Sequence, residues 1–245
     1  MVLKAFLDGR VFGHRVGSGT PTVLALHGWG RSGADLADVL EGTSAFALDL
    51  PGFGASPPPD EALGAAGYAS VVAPILEEMA DRVVVFGHSF GGRVAVALAA
   101  AYPQRIAAMV LCGVPLLRLR APSQPSFRYR LVRWANRRGL VSDDRMERIR
   151  RRRGSADYRA AQGVMRDVLV RVVNESYEEE LQALACPVHL LWGADDTEAP
   201  VAVAYAARDL LASAAVQVTL EVVPGAGHDL HREHPDLVRS RLVSA

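Results

Sequence analysis

Arg82-Val83-Val84-Val85-Phe86-Gly87-His88-Ser89-Phe90-Gly91-Gly92-Arg93-Val94-Ala95 joins an apolar, β-branched run to the opening of a small-residue helical run. Between the two lies a G-x-S-x-G turn, residues 87–91. Such a strand-to-helix turn is a nucleophile elbow. Side chains two positions either side of the serine would collide with the neighbouring strand and helix, which is why glycine stands there. Ser89 is thereby presented outward at a helix N-terminus.

The runs on either side extend the pattern. Met1 to Val16 alternates apolar and polar residues around Asp8-Gly9, a hairpin signal that places two strands at a sheet edge. Thr22–Leu26 and Ala45–Leu48 are short apolar runs ending in His27-Gly28-Trp29-Gly30 and in Asp49-Leu50-Pro51-Gly52-Phe53-Gly54-Ala55-Ser56. Both have the composition of buried parallel strands followed by functional loops. Ile106–Cys112, Pro187–Trp192 and Val218–Val223 supply three more strands. Helical spacing is expected over Tyr68–Ala80, with Pro74 at a first turn or kink, over Pro200–Ala212 and over His234–Leu242. Strands alternating with helices imply an α/β fold, a mostly parallel twisted sheet covered by helices on both faces.

Residues 115–180 interrupt this alternation. They lack strand signals and read as a helical excursion, leaving 1–114 and 181–245 as one core domain. Its length of 245 residues suits one such domain with an insertion. The segment also concentrates charge: Leu116–Glu180 holds 16 arginines against nine acids, while the formal net charge of the whole chain is zero. Lys4 is the single lysine. The arginine excess has two readings, a solvated helix face or a receptor for an anionic substrate or an acidic carrier protein. No recognised nucleic-acid module accompanies it.

Half the residues are hydrophobic and 22% are charged, the balance of a globular chain without a membrane span. Lys4, Asp8 and Arg10 leave no apolar signal core in the first ten residues. Cys112 and Cys186 flank apolar runs, the pattern of buried free thiols in a reducing compartment. A cytoplasmic location is expected.

Ligands of open parallel sheets bind at the carboxyl ends of the strands. At those ends lie His27-Gly28-Trp29-Gly30, Ser89, the pair Asp195 and Asp196, and His228 within Gly225-Ala226-Gly227-His228. In these pieces, together with the Asp49–Ser56 loop and Gly193-x-x-Asp196 with Pro200 beyond it, the chain resembles the α/β-hydrolase superfamily over essentially its whole length. The resemblance implies Ser89 as nucleophile, His228 as general base, and Asp196 as the acid that orients His228, since it lies three residues after the glycine and four before the proline. It implies an oxyanion hole from the backbone N–H groups of Trp29 and Phe90. It also makes residues 115–180 a small helical cap, with Phe127, Tyr129, Leu131, Trp134, Met146, Met165 and Leu169 as candidates for an apolar wall or for packing between cap helices.

Other polar residues have structural readings. His27 is expected to fix the oxyanion loop by hydrogen bonding, His88 to pack beside the elbow, His189 to sit within a strand, and Asp49 to hold its loop. His228, His231 and His234 are spaced as metal ligands can be, but no cysteine or carboxylate cluster stands at ligand spacing, so neither a metal nor a cofactor is expected. The expected activity is hydrolysis of a small-molecule carboxylic ester or thioester, the substrate anionic if the arginines receive it. Rivals on the same fold are a triad-based lyase or a carbon–carbon bond hydrolase acting on an anionic small molecule, and a non-catalytic ligand receptor. The lyase resembles this chain in Gly91-Gly92-Arg93-Val94-Ala95. Against the carbon–carbon hydrolases, Arg31-Ser32-Gly33-Ala34-Asp35 lacks the Gly-Pro-Gly and following Asn that many show.

Overall fold

A computed structural model describes residues 1–119, 131, 132, 134–136, 138, 140–142, 145, 146 and 155–244. Among the described residues eight strands form one sheet: β1 (Val2–Phe6), β2 (Val11–Val16), β3 (Val23–Leu26), β4 (Ala45–Asp49), β5 (Val83–His88), β6 (Ile106–Cys112), β7 (Val188–Gly193) and β8 (Val218–Val223). Their spatial order is β1-β2-β4-β3-β5-β6-β7-β8. The β1–β2 hairpin is antiparallel and occupies one edge, β2 pairs antiparallel with β4, and every pairing from β4 to β8 is parallel. The strand order reverses between β3 and β5, so the loops after these two strands diverge and open a crevice.

The apolar runs are nearly continuous because both faces of the sheet are covered, and successive side chains feed opposite cores. In β5, Val83 and Val85 join Leu24, Leu26, Leu48 and Trp192 on one face, while Val84 and Phe86 join Ala25, Ala47, Val110 and Leu191 on the other. The first face is covered by helices α1 (Ala65–Val72), α2 (Phe90–Ala101), α5 (Glu178–Gln182) and α6 (Val201–Ser213). Against the second pack α7 (Leu230–Glu233), α8 (Pro235–Ser244) and the 3₁₀ turn Gly33–Leu36 with Val39 and Leu40 beyond it. The ten residues Phe90–Ala99 of α2 are all buried. Its run of glycine, alanine and valine lets the helix lie close to the sheet.

One helical expectation is corrected by proline, and another helix is bounded by one. The helix expected over Tyr68–Ala80 ends at Val72 and continues as a 3₁₀ helix, Ala73–Glu78. Pro74 has no N–H to give the carbonyl of residue 70, so α-helical bonding stops there. The helix expected over His234–Leu242 is present as Pro235–Ser244; Pro235 pushes the preceding residue out of helical conformation, so His234, with φ −134° and ψ 61°, separates it from the short helix Leu230–Glu233.

Between β6 and β7 the described chain is helical, with α3 (Ala156–Ala160) and α4 (Gly163–Val172), and contains no strand among its described residues. Val168, Leu169 and Val172 form the buried stripe of α4. Met165, a candidate for the cavity wall or for packing between cap helices, packs on the Asp49 loop, where a β-carbon on Gly52 would come within 2.2 Å of its sulfur. Met146 is buried, whereas Leu131 and Trp134 are about half exposed, at 52% and 50%. Phe127, Tyr129 and Arg150–Arg153 lie outside the described residues.

Candidate active site

Ser89 caps α2 with φ 48° and ψ −113°, a strained conformation for a side-chain-bearing residue. Close approach on both sides enforces it. A β-carbon on Gly87 would stand 2.5 Å from Gly92 Cα, and one on Gly91 would stand 2.3 Å from the Leu26 carbonyl oxygen. The serine N–H donates to the Cys112 carbonyl at 3.0 Å, which ties the turn to the end of β6.

Opposite the serine, Asp196 and His228 meet across 32 residues of sequence. His228 Nδ1 lies 2.8 Å from Asp196 Oδ2. The other carboxylate oxygen, Oδ1, accepts from the backbone N–H groups of Glu198 (2.9 Å) and Ala199 (2.8 Å). The Asp196 carboxylate is fully enclosed, so its charge acts on the imidazole with little screening. Burial alone would push His228 down, but the Asp196 hydrogen bond and charge, with Glu198 and Asp229 beyond, hold its pKa above the usual histidine value. Asp195 is exposed and donates its N–H to the Ala226 carbonyl, so it is a turn residue.

Ser89, His228, Trp29, Phe90, Arg93 and Leu169 face one cavity of about 290 Å³. Among the described residues Ser89 Oγ makes no hydrogen bond, and His228 Nε2 is 3.5 Å from Glu198 Oε2. The backbone N–H groups of Trp29 and Phe90 form no hydrogen bond to backbone among the described residues. For Phe90 this follows from its place as the first residue of α2, where N–H groups have no helical acceptor.

The loop that carries Trp29 is locked from behind. His27, buried, gives its Nδ1–H to the Gly28 carbonyl (2.7 Å) and accepts the Leu50 N–H at Nε2 (3.0 Å), which fixes a neutral tautomer; burial also lowers its pKa. Asp49 accepts from Gly33 N (2.7 Å) and Ala55 N (2.8 Å), and Ser56 bridges Phe12 N to the Asp49 carbonyl. His88 donates Nε2–H to the His228 carbonyl at 3.1 Å, and His189 lies in β7 against Thr219 Oγ1.

Sequence spacing missed three features. His88 and His231 stack with ring centroids 4.0 Å apart, and with Asp229 they place one ligand atom each within 4.8 Å of one another. A carboxylate thus does accompany two histidines, contrary to the spacing argument, though His228 and His234 are not the ones grouped. Its charge is already matched by Arg31, 2.6 Å away. Glu198 and Arg93 are the other two: Glu198 belongs to no motif, and Arg93 stands in the Gly91–Ala95 run, which gives no sign that its guanidinium faces the cavity.

The chain is similar to known proteins. Over 248 aligned residues the chain is 25% identical to the biotin biosynthesis bifunctional protein BioHC of Cellvibrio japonicus, covering 92% of this chain and 46% of that protein. It is 31% identical over 125 residues to a 2-hydroxy-6-oxononadienedioate/2-hydroxy-6-oxononatrienedioate hydrolase of Paraburkholderia phymatum, covering 46% of this chain and 42% of the other. The chain spans less than half the length of these curated relatives. The thioesterase domain from the curacin biosynthetic pathway superposes with a TM-score of 0.71 at 17% identity, over 100% of this chain and 98% of that domain, a likeness of fold. The model of the "Alpha/beta hydrolase family" matches residues 23–241, from β3 to the last turn of α8. With the elbow, the strand-end loops and the sheet order already described, that match establishes that the chain belongs to the alpha/beta hydrolase family.

Proposed function

We propose that this hydrolase-family protein is a cofactor-free serine hydrolase that cleaves a carboxylic ester or thioester through an acyl-enzyme. The observation that carries the reading is the Asp196–His228 hydrogen bond at 2.8 Å, with His228 and Ser89 facing one cavity. A serine hydroxyl is a weak nucleophile at neutral pH and needs an adjacent base. His228 takes the hydroxyl proton at Nε2 as Ser89 Oγ attacks the acyl carbon, and Asp196 stabilises the imidazolium. That step requires Nε2 to turn from Glu198 to Ser89, a tightening that ligand-free sites commonly await. The N–H groups of Trp29 and Phe90 receive the developing oxyanion. The imidazolium then protonates the leaving alcohol or thiol, and the same base activates water to release the acid.

Residues 115–180 act in this reading as the cap. Leu169 and Val172 line the cavity, and an apolar wall there excludes water and grips the acyl chain. The arginine-rich composition of this segment suits an anionic small molecule or an acidic carrier protein. Cys112 and Cys186 are both free and buried, which fits a reducing compartment such as the cytoplasm; among the described residues no helix is long and apolar enough to cross a membrane.

A panel of p-nitrophenyl esters and acyl thioesters, run on the wild type and on Ser89→Ala, tests the proposal. Turnover by the wild type that falls by at least about a thousandfold in Ser89→Ala, with the fold retained by circular dichroism, is the expected result. Equal turnover by both proteins would refute it.

A further inference from the structure

Arg93 stands one helical turn beyond Ser89 on α2, so the two side chains share a face. Its side chain is buried, 8% exposed, yet it lines the same cavity as Ser89 and His228. A buried guanidinium is costly unless an anion or a full set of acceptors surrounds it. Here neither does. Nη1 donates to the Val172 carbonyl of α4, the Tyr177 hydroxyl is a further polar neighbour with its ring 5.9 Å from the guanidinium, and Nε has no acceptor. Among the described residues no carboxylate comes within ion-pair distance of it. Glu175, the nearest acid to influence it, is already occupied by the Tyr177 hydroxyl (2.8 Å) and the Ala65 N–H (3.0 Å).

The remaining charges of the cavity wall are Asp157 and Glu198, both exposed, and His228. Water screens the two carboxylates, while the charge of Arg93 is held where screening is weak. The anchor on Val172 also matters: it comes from α4 in the excursion and fixes the guanidinium at the junction between α2 and the residues above it. An arginine kept for packing alone would have its nitrogens satisfied by protein.

From this geometry we infer that Arg93 is the receptor for a carboxylate on the substrate. The substrate class is then an ester or thioester of a dicarboxylic acid, whose free carboxylate seats on Arg93 while its acyl carbon meets Ser89. This inference rests on the hydrolase reading for the ester half of the substrate, but the anion half stands separately. Arg93 is a specificity-determining residue here, and a cavity of about 290 Å³ suits a short acyl chain.

The test compares two p-nitrophenyl esters of equal chain length, the glutarate hemiester and the neutral valerate, by kcat/KM. The wild type is expected to favour the hemiester by about tenfold or more, the usual worth of a charge-assisted hydrogen bond. That ratio should collapse toward one in Arg93→Met and be partly kept in Arg93→Lys, which retains the cation and serves if the methionine variant fails to fold. A ratio unchanged in the substituted protein would overturn the inference. Calorimetric titration of glutarate and of neutral glutaramide into Ser89→Ala gives a readout without turnover. Binding of glutarate alone, lost in Ser89→Ala/Arg93→Met or weakened there at least about tenfold, supports the carboxylate site even if no ester is cleaved. Failure of glutarate to bind Ser89→Ala at millimolar concentration, or equal binding of both compounds, would overturn it.

Discussion

Glu198 Oε2 stands 3.5 Å from His228 Nε2, while Asp196 Oδ2 holds Nδ1 of the same ring at 2.8 Å. The imidazole is thus bracketed by two carboxylates, one enclosed and one exposed. The enclosed one orients the ring. The exposed one adds to the negative field that raises the pKa of His228.

This bracket sets the pH dependence. A general base must be neutral to act, so activity is lost as pH falls through the raised pKa of His228. Replacing Glu198 with glutamine removes one of the charges that raise it. The acid limb of the kcat/KM profile should move to lower pH in Glu198→Gln, with the plateau rate near that of the wild type. A profile that moves to higher pH would contradict the role given to Glu198.

Asp196→Asn should lower kcat by about 10³- to 10⁴-fold while leaving the fold intact. The two backbone N–H groups of Glu198 and Ala199 would keep the amide oxygen on their side and turn the NH₂ group toward His228 Nδ1. Nδ1 then has to accept, the proton moves to Nε2, and the nitrogen facing the cavity is no longer a base. Steady-state kinetics together with a melting curve check this.

The stacked His88–His231 pair makes the protein acid-sensitive. Burial pushes His231 down to about 3, with Arg31, Arg232 and His228 adding to the effect, and it pushes His88 well below its usual value, assisted by His231 and His228. Folded imidazoles that stay neutral bind fewer protons than the unfolded chain, so stability is full above pH of about 6.5 and falls as the pH drops toward 3. Each group contributes a loss of up to about 1.4 kcal/mol per pH unit in that window. Urea unfolding at pH 7.5 and pH 5 should show His231→Leu losing about 2 kcal/mol less than the wild type between the two.

Gly91→Ala should be among the most destabilising single-methyl additions in the chain. Its β-carbon would lie 2.3 Å from the Leu26 carbonyl oxygen and 2.6 Å from that of His27, both backbone atoms that cannot rotate away. Overpacking of this kind costs about 1–3 kcal/mol or more. Thermal melts of Gly91→Ala against the wild type measure it.

The sheet was legible because its signals are local. Each strand is a short apolar run, and each functional loop follows directly in sequence, so the positions of His27, Ser89, Asp196 and His228 at strand ends could be read from adjacency alone. The helix break at Pro74 was also local, but a helical pattern continuing past the proline masked it. The surroundings of Arg93, Glu198 and His231 were not legible, although Arg93 stands in the run after the elbow and His231 among the spaced histidines. What distinguishes them is partners distant in sequence: the Arg93 anchor on Val172 spans 79 residues, and the His231 stack joins the last helical turns of the chain to His88 at the end of β5. Spacing within a motif carries no record of such contacts.

Intact-protein mass spectrometry after exposure to a serine-directed fluorophosphonate tests the nucleophile most directly. The account predicts a single adduct on the wild type, mapped by peptide digestion to Ser89, absent from Ser89→Ala and formed far more slowly in His228→Ala. An unlabelled wild type, or an adduct that persists undiminished in Ser89→Ala, would contradict it.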